Sequence, residues 1–246
     1  MARFFLPRAA IDGRRGTIAG AELDHLRKVL RLRPGDAVTV FDESGWEHEA
    51  VLRSVDAQRA EIEIQNSAPA ESESPLEITL GLALTKGDKM DFVIEKATEL
   101  GVQTIAPLVT RFTVPNLDEK RSARRAERWQ KIALSATKQC GRTRVPEIRP
   151  LMDFSGFVRQ PGAAELKIFF WEKEKQRTLH ELRQSKAAVR AIILIVGPEG
   201  GFDETESATA LEQGFIGIGL GRRILRAETA AVITLGLVQF LWGDLG

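Results

Sequence analysis

Two glycine turns in the last third of the chain carry the residue types most suited to chemistry. Gly197-Pro198-Glu199-Gly200-Gly201 follows the apolar run 191–196, and Leu220-Gly221-Arg222-Arg223-Ile224-Leu225-Arg226 closes the run that starts at Phe215. Three glycines around a proline and a glutamate let backbone approach a ligand closely and leave several N–H groups to meet it. A helix starting after the first turn would favour an anion at its N-terminus. The spacing fits neither GxGxxG nor a Walker loop, because no Lys-Ser/Thr follows, so a dinucleotide or ATP phosphate loop is disfavoured. The second turn gathers Arg222, Arg223 and Arg226 just ahead of Glu228. Planar guanidinium groups there can grip phosphate or a base edge while the backbone grips another ligand. Blander readings stay open: a plain strand-to-helix turn, and a surface loop whose arginines pair with Glu199 and Glu228.

Other reactive types are sparse. The single cysteine, Cys140, excludes an internal disulfide and any cysteine-cluster zinc site. With only His25, His48 and His180, no metal site is expected. Cys140 falls on the apolar side of a basic helix and reads as packing. His25 stands beside Arg27, Lys28 and Arg31, where a contact with an anionic partner and simple helix-surface solvation are equally good accounts.

The elements that would position these turns alternate. Strands are expected at 76–85, 102–109, 167–171, 191–196 and 215–220, and helices at 89–100, 122–140, 178–185, 203–213 and 227–242. Asp203 with Glu206 makes a capping box, and Gly101 ends its helix as a C′ glycine. The 227–242 helix is apolar on nearly every side and should be buried. Strand, turn and helix in repetition describe an α/β sheet that binds a ligand at its strand ends. Ahead of this, a helix at 21–32 places Leu23, Leu26, Val29 and Leu30 on one face. Strands at 37–41, 46–55 and 60–65 then suggest a small barrel. The polar stretch 66–75, with two prolines, is the best linker, so the domains are expected at 1–70 and 71–246.

Composition is ordinary for a globular protein, with 43% hydrophobic and 28% charged residues and a net charge of +1. The global charge therefore says nothing about nucleic acid. Its distribution says more: from Arg111 to Arg149 there are eleven Lys/Arg against four Asp/Glu, an electrostatic footprint for phosphate. No leader-like start and no apolar run near the ~18 residues of a membrane span are present, so a cytoplasmic, membrane-free protein is expected.

GPEGGF at 197–202 and LGRRILRAETA at 220–230 closely resemble the SPOUT class of S-adenosylmethionine-dependent RNA methyltransferases. More narrowly, they are similar to the bacterial family that methylates N3 of a specific uridine in 16S ribosomal RNA. HLRKVLRLRPGD at 25–36, KGDKMDFVIEKATELGV at 86–102 and ERWQKIALSATKQCGRTRVPEI at 127–148 extend the resemblance over nearly the whole chain. It implies a C-terminal SPOUT α/β domain with a trefoil knot, a small N-terminal PUA-like β-barrel, and a homodimer with the active site near the subunit interface. S-adenosyl-L-methionine would be held by Phe170, Trp171 and Glu172, by Gly197, Pro198, Glu199, Gly200 and Gly201, and by Leu220, Gly221, Ile224 and Leu225. Arg226 would orient the uridine or stabilise charge on its carbonyl oxygens. Glu199 or Glu228 would accept the N3 proton or merely fix Arg226. The RNA, as 16S rRNA or the small ribosomal subunit, would meet Arg3, Arg8, His25, Arg27, Lys28, Arg31, Arg33, Arg111, Arg121, Arg124, Arg125 and Arg222. Two alternatives are a related SPOUT enzyme on another RNA and a non-catalytic RNA-binding adaptor, the latter disfavoured by two intact loops.

Overall fold

The computed structural model describes residues 2–113, 119–159 and 164–246, so the basic stretch 111–149 is described except at 114–118. The chain divides into two compact units, Met1–Glu73 with Thr137–Val145 and Ser74–Ala136 with Pro146–Gly246. The division falls within the polar stretch 66–75, but 137–145 joins the first unit, not the second. The reason is a buried clasp. The Glu73 carboxylate accepts from Arg142 Nε (3.1 Å) and Nη2 (2.8 Å) and from the N–H groups of Thr143 (3.0 Å) and Arg144 (2.9 Å). Arg3 donates to the carbonyls of Gly141 (3.1 Å) and Arg142 (3.0 Å) from the other side.

The first unit is a six-stranded curled sheet. Its strands are β1 (Ala2–Phe5), β2 (Ile11–Asp12), β3 (Arg15–Ala19), β4 (Ala37–Phe41), β5 (Trp46–Val55) and β6 (Arg59–Pro69), in the order β1-β4-β5-β6-β3-β2. Alternate residues of these strands, among them Phe4, Ile18, Val38, Val40, Leu52 and Ile62, form its core. β6 runs four residues further than the sequence suggests, because Asn66–Pro69 pair with Trp46–Glu49 of β5. Polar side chains do not forbid a strand whose face is exposed.

The expected helix at 21–32 is also different. Helix α1 (Gly20–Asp24) continues as a π-helical turn, His25–Leu30, and stops at Arg31, whose φ of 55° is left-handed. Leu23 and Leu26 are buried, but Val29 is 65% exposed and Leu30 39%. The wider i→i+5 turn rotates the later side chains off the stripe that a 3.6-residue period predicts.

The second unit contains β7 (Glu77–Ala83), α2 (Lys89–Glu99), β8 (Thr104–Val109), α3 (Glu119–Cys140, whose end lies in the first unit), β9 (Glu147–Ile148), β10 (Met152–Asp153), α4 (Phe154–Arg159), β11 (Leu166–Phe170), α5 (Leu179–Ser185), β12 (Ala191–Val196), α6 (Glu204–Glu212), β13 (Ile216–Ile218) and α7 (Ala227–Trp242). All strand pairs are parallel, in the order β10-β8-β7-β12-β11-β13, with β9 also on β8. The all-apolar β12 lies in the middle, as burial on both faces demands. Because β7, β12, β11 and β13 are parallel neighbours, the segments leaving their C-terminal ends share one edge of the sheet.

Helix α7 is not buried all round. Ala231, Leu235 and Val238 are buried, while Ile233, Leu237 and Phe240 are 46%, 40% and 60% exposed. An apolar stripe at i, i+4 and i+7 stays uncovered within the single chain. Among the described residues no helix is long and apolar enough to cross a membrane.

Candidate functional site

Three of the segments at that edge enclose a cavity of about 430 Å³. Its walls are 170–172 after β11, 196–202 after β12 and 220–227 after β13, with Ala230 of α7. All the cofactor-contact positions expected from the sequence, together with Arg222, Arg223 and Arg226, line this one space. The Trp171 N–H donates to Ile218 O (3.0 Å), and the Gly219 N–H donates to Arg177 O (3.3 Å), which ties the first wall to the third. The middle wall turns through Gly201, at φ +70°, with its N–H on Pro198 O (3.0 Å). Asp203 and Glu206 then close the capping box of α6 as expected. A Cβ on Gly197 would lie 3.0 Å from the Phe202 ring, so a larger residue would crowd that wall.

The walls suit a small ligand carrying both polar and apolar groups. The volume falls within the range of ligand pockets, ~300–1,000 Å³. The Trp171 indole N–H is buried without an acceptor, a donor that a ligand oxygen or nitrogen could satisfy. Ile224, one of the lining residues, is 90% exposed.

Charge at the mouth is organised by a residue the sequence reading missed. Lys89, in the first turn of α2, places its Nζ 3.0 Å from Glu199 Oε1 and 3.3 Å from Glu228 Oε2. The Lys86 N–H also reaches Glu199 Oε1 (3.4 Å). Burial pushes the Glu199 carboxyl up, but the Lys89 hydrogen bond, backbone N–H groups and the Lys89 charge outweigh it and hold it below its ordinary value. The hydrogen bond that Lys89 donates to Glu199 raises the Lys89 ammonium in turn, with some loss to desolvation and a further gain from Glu228. Among the described residues Arg222, Arg223 and Arg226 have no ion-pair partner. The glutamates therefore pair with Lys89 and do not fix Arg226. Arg226 is the N-cap residue of α7, exposed on the cavity wall. Glu228 sits in the first turn of the same helix, where the dipole favours a carboxylate.

The basic positions expected to meet RNA fall into two groups. In the first unit Arg8, Arg27, Lys28, Arg31 and Arg33 are exposed, and Lys28 pairs with Asp24 (2.8 Å). His25 is half-buried with its ring edge-on to Phe4. Arg3 is spent on structure: it pairs with Glu47, holds two carbonyls and lies over the Phe41 ring. In the second unit Arg111, Arg121, Arg124 and Arg222 are exposed and Arg125 is half-buried. Trp129 Nε1 donates to Asp91 Oδ1 (3.1 Å), and Arg128 pairs with the same carboxylate, fixing α3 against α2. Cys140 is half-buried and points its thiol at Thr137 O (3.7 Å). Among the described residues no cluster of three or more His, Cys, Asp or Glu could hold a metal ion.

Residues 72–239 match a family model described as an RNA methyltransferase domain, and residues 18–65 one described as an RNA methyltransferase PUA domain. Ribosomal RNA small subunit methyltransferase E of Buchnera aphidicola subsp. Acyrthosiphon pisum is 34% identical over 89% of this chain and 85% of its own length. The protein of the same name from Bacillus subtilis is 29% identical over 91% of this chain and 89% of its own. A crystal structure of the Neisseria gonorrhoeae ribosomal RNA small subunit methyltransferase E, bound to S-adenosyl methionine, superimposes with a TM-score of 0.91. It is 36% identical, with all of both chains covered.

Proposed function

Because the chain belongs to the RNA methyltransferase family, with a PUA domain ahead of the methyltransferase domain, we propose that it methylates N3 of a uridine in 16S ribosomal RNA, using S-adenosyl-L-methionine. The observation that carries the reading is the single cavity formed by the segments after β11, β12 and β13. When bound there, the cofactor supplies an electrophilic methyl group on a sulfonium. The protein's own task is alignment, charge stabilisation and exclusion of water. A paired or stacked uridine must first be splayed out to expose N3. Arg226, on the cavity wall and without a competing carboxylate, donates to the carbonyl oxygens flanking N3 as the proton leaves. The N3 lone pair would then take the methyl as its bond to sulfur breaks and a neutral thioether leaves, while the proton would pass to Glu199 or Glu228. Lys89 holds the Glu199 carboxyl below its ordinary value, which keeps it ionised and able to accept a proton.

The exposed arginines and lysines of both units hold phosphates of the 16S rRNA or small ribosomal subunit, in the cytoplasm. A homodimer belongs to the same reading, supported by the uncovered Ile233, Leu237 and Phe240 stripe on α7. The trefoil knot belongs to it too, supported by β12 lying between β7 and the earlier strand β11. The test is methyl transfer from labelled cofactor to small subunits lacking the modification, with the product nucleoside mapped by mass spectrometry. N3-methyluridine is expected. A methyl group on another atom, or none, refutes the assignment. Arg226→Ala should lower turnover at least tenfold with cofactor affinity unchanged.

A further inference from the structure

The turn that follows β8 holds an aromatic side chain against the outside of the cofactor wall. Thr110 and Thr113 close this turn on themselves: the Thr113 N–H donates to Thr110 O (3.1 Å), and the Thr110 N–H to Thr113 Oγ1 (2.8 Å). Their hydroxyls also meet at 2.9 Å. Between them, the Arg111 N–H donates to Glu206 Oε1 (2.8 Å), and Glu206 Oε2 accepts the Asp203 N–H (3.0 Å). The turn is thereby pinned to the N-terminus of α6, the helix that the glycine wall leads into. Phe112, at its tip, packs its Cβ on Gly200 so closely that a Cβ there would lie 2.8 Å away. The residue is nevertheless 46% exposed.

A single exposed phenylalanine needs no explanation by itself. This one is held by a closed turn, touches the glycine wall of the cavity, and has a cation beside it. The exposed Arg111 adjoins it in the turn, while Lys89 is ion-paired to Glu199, the neighbour of Gly200. The geometry points to Phe112 as a platform, on the outer side of the glycine wall, on which a base of the bound RNA stacks. A nucleobase offers a flat π-face that an aromatic ring matches, and the RNA backbone phosphates suit the neighbouring Arg111. Gly200 serves this arrangement because only a residue without Cβ lets the ring sit flush on the wall. The inference rests on the methyltransferase reading above.

The test compares Phe112→Ala, Phe112→Leu and Phe112→Trp. Readouts are kcat/KM for the RNA, equilibrium RNA binding, and cofactor affinity by calorimetry. Stacking on one base predicts about a tenfold or greater loss of kcat/KM in the alanine variant. The leucine variant should fall nearly as far, tryptophan should retain activity, and cofactor affinity should stay constant in all three. Wild-type kcat/KM in the alanine or leucine variant overturns the proposal. So does an equal loss of cofactor affinity, which would make Phe112 a mere prop for Gly200. If the wild-type protein binds RNA but transfers no methyl, the methyltransferase reading fails, and RNA binding by the variants decides the platform alone.

Discussion

Gly219 offers the sharpest test of how the cavity is held together. It follows β13 and precedes the arginine loop. An added Cβ would lie 2.2 Å from the backbone carbonyl oxygen of Glu174, whereas real Cβ contacts do not fall below 3.0 Å. A backbone oxygen cannot swing aside as a side-chain tip can, so Gly219→Ala must part the 171–177 loop from 219–226 by about 0.8 Å or more, at the ~1–3 kcal/mol typical of overpacking. These two segments carry opposite walls of the cavity, and the Gly219–Arg177 hydrogen bond between them would be lost as well. Restoring the closed walls around a ligand would weaken binding by up to the same amount, about tenfold for each 1.4 kcal/mol. Calorimetry with S-adenosyl-L-methionine and thermal melting read both effects. Gly214→Ala, outside the cavity lining, is the control. Its φ is +81°, but nothing lies within 4 Å of an added Cβ. Only the left-handed backbone cost, about 1–2 kcal/mol, then applies. If Gly219→Ala kept wild-type affinity and melting temperature, or harmed binding less than Gly214→Ala, the steric account of the walls would be wrong.

Glu73→Ala should cost the lower end of ~3–5 kcal/mol, since it strands the buried Arg142 guanidinium with its remaining contacts. Denaturant titrations across pH check the linkage: burial pushes Glu73 up, but Arg142 and two N–H groups hold it below its ordinary value. The stability it contributes is therefore present above the unfolded carboxyl value and lost as pH falls through the lower folded one. The alanine variant should lack that acid loss. RNA binding should weaken with salt, and removing Arg27, Lys28 or Arg31 should flatten the log–log slope by about one unit each. Arg3→Ala should instead lower the melting temperature, because its charge is already engaged with Glu47. Ile233→Asp with Leu237→Asp should yield monomers by analytical ultracentrifugation if the α7 stripe is a dimer seam, and unchanged sedimentation would exclude it.

What could be read in the sequence was whatever is encoded locally. The six apolar residues of β12, the Asp203–Glu206 capping box and the C′ glycine at position 101, φ +79°, each act within a turn or two, and the fold keeps them. Period arguments failed where backbone geometry changed underneath them. The π turn at His25–Leu30 turned Val29 and Leu30 outward, and pairing with β5 drew the polar Asn66–Pro69 into a strand.

Lys89 failed to stand out for a different reason. At the start of an amphipathic helix a lysine looks like any solvated residue. Its importance arises because β12 inserts beside β7, which brings the end of one strand–helix unit against the glycine turn of another, over a hundred residues away in sequence. No local pattern carries that order. The charge balance of the site is thus a property of sheet topology: the same lysine beside a different neighbour would leave Glu199 and Glu228 facing each other without a cation. Such a pair of carboxylates would compete for one proton. Lys89 takes both carboxylates, which is the arrangement that the proposed role of Arg226 toward the base requires.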